Sequence, residues 1–159
     1  MIEVRKMKLE FCYSIEHEDG YAVLDVPKFP EITVSISEED QRQGRVRSIA
    51  NDAIKNAIQA RIDYNDEIPS SDVSNLPLGF AKLQLTPLAA TKALLYIQYR
   101  KSGKSKAEFA KSIEVGATTL NRIFDLSHES RFDVVLEAFE KLNLDFDHSV
   151  SVKRRKLGS

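Results

Sequence analysis

The chain has 159 residues, 42% of them hydrophobic, which is enough apolar material for one full core or two small ones. With 30% charged residues but a formal net charge of only −1, it is excluded as a polycation that coats nucleic acid by bulk electrostatics. Charge is unevenly placed, because residues 1–84 carry 10 Lys/Arg against 15 Asp/Glu while residues 85–159 carry 13 against 9, a pattern that suggests two tasks on two modules.

The first forty residues read as a meander of short strands. Leu9, Phe11, Tyr13 and Ile15 alternate with Glu10 and Ser14, the period of a half-buried strand. The stretch HEDG, ending at Gly20, marks a turn. A second strand follows at Tyr21–Val26 and stops at Pro27. Ile32, Val34 and Ile36, alternating with Thr33 and Ser35, predict a third. The polar stretch SEEDQRQG then reads as a flexible connection.

Next comes a helix whose Val46, Ile49, Ala50, Ala53, Ile54, Ala57, Ile58 and Ile62 fall on one stripe. That stripe is satisfied by packing on one face of the sheet, which leaves the other face or an edge for a partner. Residues 64–79 are rich in Asp, Asn, Ser and Pro and read as a long loop. A fourth strand at Phe80–Leu85 returns the chain to the sheet.

Thr86 and Pro87 offer an N-cap and a first-turn proline for a helix running through Leu94 and Ile97. Ser105 and Glu108 have the spacing of a capping box, and Phe109, Ala110 and Ile113 face inward from the helix they start. A turn holding Gly116 leads into a second short helix with Leu120, Ile123 and Phe124 inward. The pair, Ser105–Leu126, has the pattern of a helix-turn-helix. Ser130 and Asp133 are expected to cap a last helix, with Phe132, Val135, Leu136, Phe139 and Leu142 inward. His148–Val152 reads as a short strand, or as the start of a basic tail carrying Lys153, Arg154, Arg155 and Lys156. Such a tail suits phosphate contact, or is simply a solvated terminus.

The fold class is therefore α+β: a small antiparallel sheet with one packed helix over residues 1–85, then an all-α helix-turn-helix bundle over 86–147, with 148–159 as strand or tail. On the second helix of the pair, the outward residues have the chemistry that reads base edges and holds phosphates. Ala117 and Thr118 take the first solvent-facing positions, and Thr119, Asn121 and Arg122 lie along or beside them. Ser105 and Lys106, at the start of the preceding helix, are expected to hold the DNA backbone.

Enzymatic readings find little support. His17, His128 and His148 lie far apart without metal-ligand spacing, and there is neither a phosphate-binding glycine loop nor a nucleophile elbow. Asp25, beside Pro27, reads as a strand-end acid and His128 as a loop histidine. No catalytic residue, metal or cofactor is expected. Cys12, the only cysteine, excludes an intramolecular disulfide and is expected as a buried thiol. No apolar run approaches the ~18 residues of a spanning helix, and the N-terminus lacks the apolar core of a signal peptide. A cytoplasmic protein without membrane contact is the expectation.

Taken together, the layout resembles the HicB family of bacterial antitoxins. The carriers are EDGYAVLDVPKFPEITV after the opening strand, NDAIKNAIQARIDYNDEIPSS at the helix end, and the strand, helix and helix-turn-helix from LQLTPLAATK onward. The similarity spans roughly residues 7–145. SISEEDQRQGRVRSIANDA departs from it, being longer than the family's step into its helix and lacking the G-x-T-x-x-E-A signature. Glu114 departs too, standing where the family often has a glycine in the turn; a left-handed backbone there is expected to carry strain.

The resemblance implies that the N-terminal domain binds and blocks HicA, a small toxin that cleaves messenger RNA. It also implies that the C-terminal domain binds operator double-stranded DNA and represses the operon. The toxin-contacting residues are not readable. A homodimer or higher homo-oligomer is expected, since one short helix reads too few base pairs. The alternative is a stand-alone helix-turn-helix regulator whose N-terminal domain senses or oligomerises.

Overall fold

A computed structural model describes residues 9–69, 73 and 75–145. The expected strand at His148–Val152 and the basic tail lie outside the described residues. β1 (Glu10–Glu18) and β2 (Tyr21–Asp25) form an antiparallel hairpin with Glu18 opposite Tyr21. β1 runs three residues past the expected Ile15, so the turn is only Asp19–Gly20. Gly20, at φ 83°, supplies the positive φ that a two-residue hairpin turn demands.

β3 is shorter than expected, covering only Ser35–Ser37 and pairing with β2. Ile32 and Val34 lie before it, although the Val34 carbonyl still accepts from the Leu24 N–H at 3.0 Å. The polar stretch read as flexible instead forms α1 (Glu38–Arg42). Ser37 caps it by accepting from the Asp40 N–H at 3.1 Å, and Glu38, Glu39 and Asp40 put negative charge at its N-terminal dipole.

α2 (Val46–Asp63) carries the expected stripe, burying Ala50, Ile54, Ile58 and Ile62. β4 (Ala81–Gln84) pairs antiparallel with β1, giving the order β3-β2-β1-β4. Phe11, Tyr13, Ala22, Leu24, Ile36 and Leu83 are buried. Cys12 sits on the alternate side of β1 with Glu10 and Ser14. It is half-buried opposite Lys82 rather than sequestered, because a one-residue offset in a strand changes the face.

Four helices follow: α3 (Pro87–Ser102), α4 (Lys106–Ser112), α5 (Ala117–Ile123) and α6 (Phe132–Lys141). Thr86 caps α3 as expected, and Gly103, at φ 66°, closes it. α6 begins differently from expectation. Arg131 occupies the cap position, and Asp133 turns to Arg131 at 2.7 Å and to the Val134 N–H at 3.0 Å. The Ser130 hydroxyl points instead to the Arg122 carbonyl and His128. Leu136 and Phe132 are half-buried, and Ala138 completes the inward face with Val135 and Phe139. Buried side chains from Leu9 to Phe139 form one contiguous hydrophobic cluster across sheet and helices.

Candidate nucleic-acid interface

α4 and α5 lie side by side, and local bonding fixes each end of α4. The capping box is complete: the Ser105 hydroxyl accepts from the Glu108 N–H at 3.2 Å, and the Glu108 carboxylate accepts from the Ser105 N–H at 3.2 Å. At the far end Glu114 adopts φ 59°. Its N–H donates to the Lys111 carbonyl at 3.1 Å, and the Val115 N–H donates to Ala110 at 3.0 Å. This is the paired bonding by which a helix ends on a left-handed residue.

α2 and α6 end the same way at Asn65 and Asn143, a residue type that tolerates the left-handed region. Glutamate does not, so the expected strain at Glu114 is present. Its carboxylate reaches Lys141 on α6 at 2.6 Å, and that hydrogen bond and charge hold the Lys141 ammonium above its usual pKa.

Inward, the pair is locked by rings. The Phe109 ring meets Tyr99 edge-on at 5.3 Å, and Phe124 meets Tyr96 edge-on at 5.5 Å. Phe109, Ala110, Ile113, Leu120, Ile123 and Phe124 are all buried, as their spacing requires.

Outward, Ala117, Thr118, Asn121 and Arg122 are exposed on α5. Thr118, Asn121 and Arg122 stand at i, i+3 and i+4 and share one stripe. Thr119 is half-buried and sits apart from that stripe. Ser105 is exposed, but its hydroxyl is engaged in the cap. Lys106 is exposed and, with Asn121, lines a depression of about 340 Å³ shared with Gln59, Asp63 and Asp125. Neither Lys106 nor Arg122 is ion-paired among the described residues. The surface therefore offers two unpaired cations, an amide and a hydroxyl on a short rigid helix pair.

Two residues that hold this surface escaped the sequence reading. Lys92 on α3 is fully buried. Its ammonium donates to the carbonyls of Arg122 at 3.0 Å, Asp125 at 2.7 Å and His128 at 2.6 Å. These oxygens lie at the C-terminal end of α5 and just beyond, where the helix dipole is negative and carbonyls lack helical partners. Burial pushes the Lys92 pKa down, the charge of Asp125 opposes that, and Lys55 reinforces it.

Gln59 on α2 is the second. Its amide nitrogen donates to the Phe124 carbonyl at 3.1 Å and its oxygen accepts from the Leu126 N–H at 2.8 Å. The available signals were a lone lysine in the apolar run LAATKALLYI and a glutamine beside the α2 stripe. Neither reveals a partner thirty or more residues away.

Among the described residues no group of three or more His, Cys, Asp and Glu is placed to hold a metal, and no helix is long and apolar enough to cross a membrane. No protein-family model matches the chain. Curated proteins do. The chain is 28% identical to an antitoxin HicB of Pseudomonas fluorescens over 134 residues, covering 84% of this chain and 88% of that protein. The chain is similar to the HicB antitoxins over most of its length. Two further antitoxins of Photorhabdus laumondii subsp. laumondii agree. HicB 2 is 26% identical, covering 84% of this chain and 91% of its own, and HicB 1 is 26% identical, covering 83% and 79%. The HicB likeness thus runs through both the sheet and the helices, not through one part alone.

Proposed function

We propose that this protein is the antitoxin of a type II toxin–antitoxin system. It binds and neutralises a HicA-type mRNA-cleaving toxin and represses its own operon by binding operator DNA. It is not an enzyme, and it works in the cytoplasm where both partners are found. The observation that carries the DNA half is the exposed stripe Thr118–Asn121–Arg122 on α5, with Lys106 beside it, on a helix pair whose ends are bonded in place. In this reading α4 and α5 are a helix-turn-helix within residues 86–147. Thr118 and Asn121 approach base edges, while Arg122, Lys106 and the Ser105 backbone region hold phosphates. Thr119 and Ala117 pack against the groove wall. Two protomers supply paired half-sites.

The toxin half rests on the HicB relationship and on the acidic excess of residues 1–84, which suits capture of a basic RNA-binding protein. The test has two arms. A duplex from the region upstream of the gene is titrated with the protein by fluorescence anisotropy, and binding that outcompetes scrambled duplex is expected. The small neighbouring open reading frame is expressed with and without this gene, and growth arrest relieved by co-expression is expected. Operator binding without any neighbouring toxin would instead make the protein a stand-alone regulator. Loss of both activities would end the proposal.

A further inference from the structure

Ala57, Ala60 and Arg61 on α2 and Tyr64 at its C-cap follow one another at helical spacing and line a groove of about 580 Å³. Arg61 is fixed within it. Its guanidinium is bound to Glu31 at 2.8 Å, donates to the Glu67 carbonyl at 2.9 Å and stacks 5.1 Å from the Phe29 ring centroid. Arg61 and Glu31 therefore neutralise each other. The carboxylates of Asp66 and Glu67, also in the lining, have no hydrogen-bond or ion-pair partner among the described residues. Tyr64 stands 80% exposed at the rim.

The lining selects its occupant by chemistry. An anion would meet the carboxylates of Asp66 and Glu67. A neutral apolar side chain would strip water from them and return nothing. A lysine or arginine lays its alkyl stem on the Ala57 and Ala60 methyls, places its charge at Asp66 and Glu67, and turns a cation to the Tyr64 ring. The geometry points to this groove as the seat of a basic side chain of the toxin partner, an inference that rests on the antitoxin reading. Gln59, Ile62 and Asp63, on the other side of α2, line the depression next to Lys106 and Asn121. A partner held in the groove thus leaves the α5 stripe open to DNA.

The test uses the full chain and the toxin from the neighbouring gene, carrying an inactivating substitution, in titration calorimetry at two salt concentrations. The double variant Asp66→Asn with Glu67→Gln, and separately Tyr64→Ala, are expected to weaken toxin binding by about tenfold or more. The salt dependence of the double variant should flatten, and operator affinity should stay within about twofold of the parent. Asp66→Lys with Glu67→Lys should abolish binding at low salt. Toxin binding by all three variants as tight as the parent's would overturn the groove while leaving the antitoxin reading intact. A parent chain that fails to bind the toxin would remove that reading, and the groove with it.

Discussion

The side-chain oxygen of Gln59 accepts from the Leu126 N–H at 2.8 Å while the same amide donates to the Phe124 carbonyl, so α2 is stitched to the chain leaving α5. One side chain thereby satisfies two backbone groups that have left the helical ladder. Tyr96 adds a second stitch, its hydroxyl donating to the Asp66 carbonyl at 2.7 Å. Gln59→Ala leaves the Leu126 N–H and Phe124 carbonyl unpaired at a half-buried site. A loss of about 1–2 kcal/mol is expected, read as a lower denaturant midpoint with unchanged slope. Calorimetry of the parent should show one cooperative transition, because the hydrophobic cluster is continuous from Leu9 to Phe139. Two resolved transitions would show that sheet and helices unfold apart.

Lys92 supports α5 from beneath. Lys92→Met keeps the stem volume but takes the charged donor from three carbonyls at the α5 end, leaving each to its backbone N–H partner. A cost of about 2–4 kcal/mol is expected, together with weaker operator binding. The pH dependence carries a sign. Burial depresses the folded pKa of Lys92 below 10.5, so between that pKa and 10.5 the unfolded chain holds more protons. Stability from this group therefore rises as pH climbs through that window. Tyr96 acts oppositely, since burial raises its pKa and stability is lost above about 10 as the unfolded tyrosine ionises. Parent and Lys92→Met share Tyr96, so the difference between their midpoints, followed from pH 7 upward, isolates the lysine. A difference independent of pH to 10.5 would contradict the depressed pKa.

For the stripe proposed to read DNA, Arg122→Ala and Thr118→Ala separate two kinds of contact. Loss of a phosphate contact at Arg122 should weaken binding to all duplexes and reduce the salt slope by about 1. Loss of a base-edge contact at Thr118 should cost about 1–2 kcal/mol on the operator and little on scrambled sequence. Both should leave toxin neutralisation unchanged, since neither residue lines the groove that holds Asp66 and Glu67 after α2. Unchanged operator affinity in both variants would remove α5 as the reader.

Much of the scaffold was legible because local chemistry decided it. The Ser105–Glu108 box, the Thr86–Pro87 start and the Ile54–Ile58–Ile62 stripe each follow from spacing alone, and each is present. α1 was missed although Ser37 and Asp40 stand at capping distance, because a five-residue helix with no buried residue leaves no hydrophobic period. The start of α6 moved by one residue because Asp133 found Arg131 rather than a capping role. Lys92 and Gln59 were beyond reach for a different reason. Their partners are main-chain groups brought close only by the assembled core, and a main-chain carbonyl leaves no mark in a sequence.

Glu114 gives the sharpest test of a position that was readable. Its φ of 59° forces a Cβ into the left-handed region, which costs a non-glycine residue about 1–2 kcal/mol. Glycine removes that cost but adds about 0.5–1 kcal/mol of backbone entropy to the unfolded chain. The ion pair to Lys141 is solvent-exposed on both sides, so its loss weighs little. Glu114→Gly should therefore stabilise the chain by about 0.5–1 kcal/mol and raise Tm by about 2 °C. Glu114→Val, with a branched Cβ in the same turn, should lower Tm instead. The order Gly above Glu above Val in thermal melts is expected; Gly below Glu would mean that the Lys141 pair, not backbone strain, governs this turn.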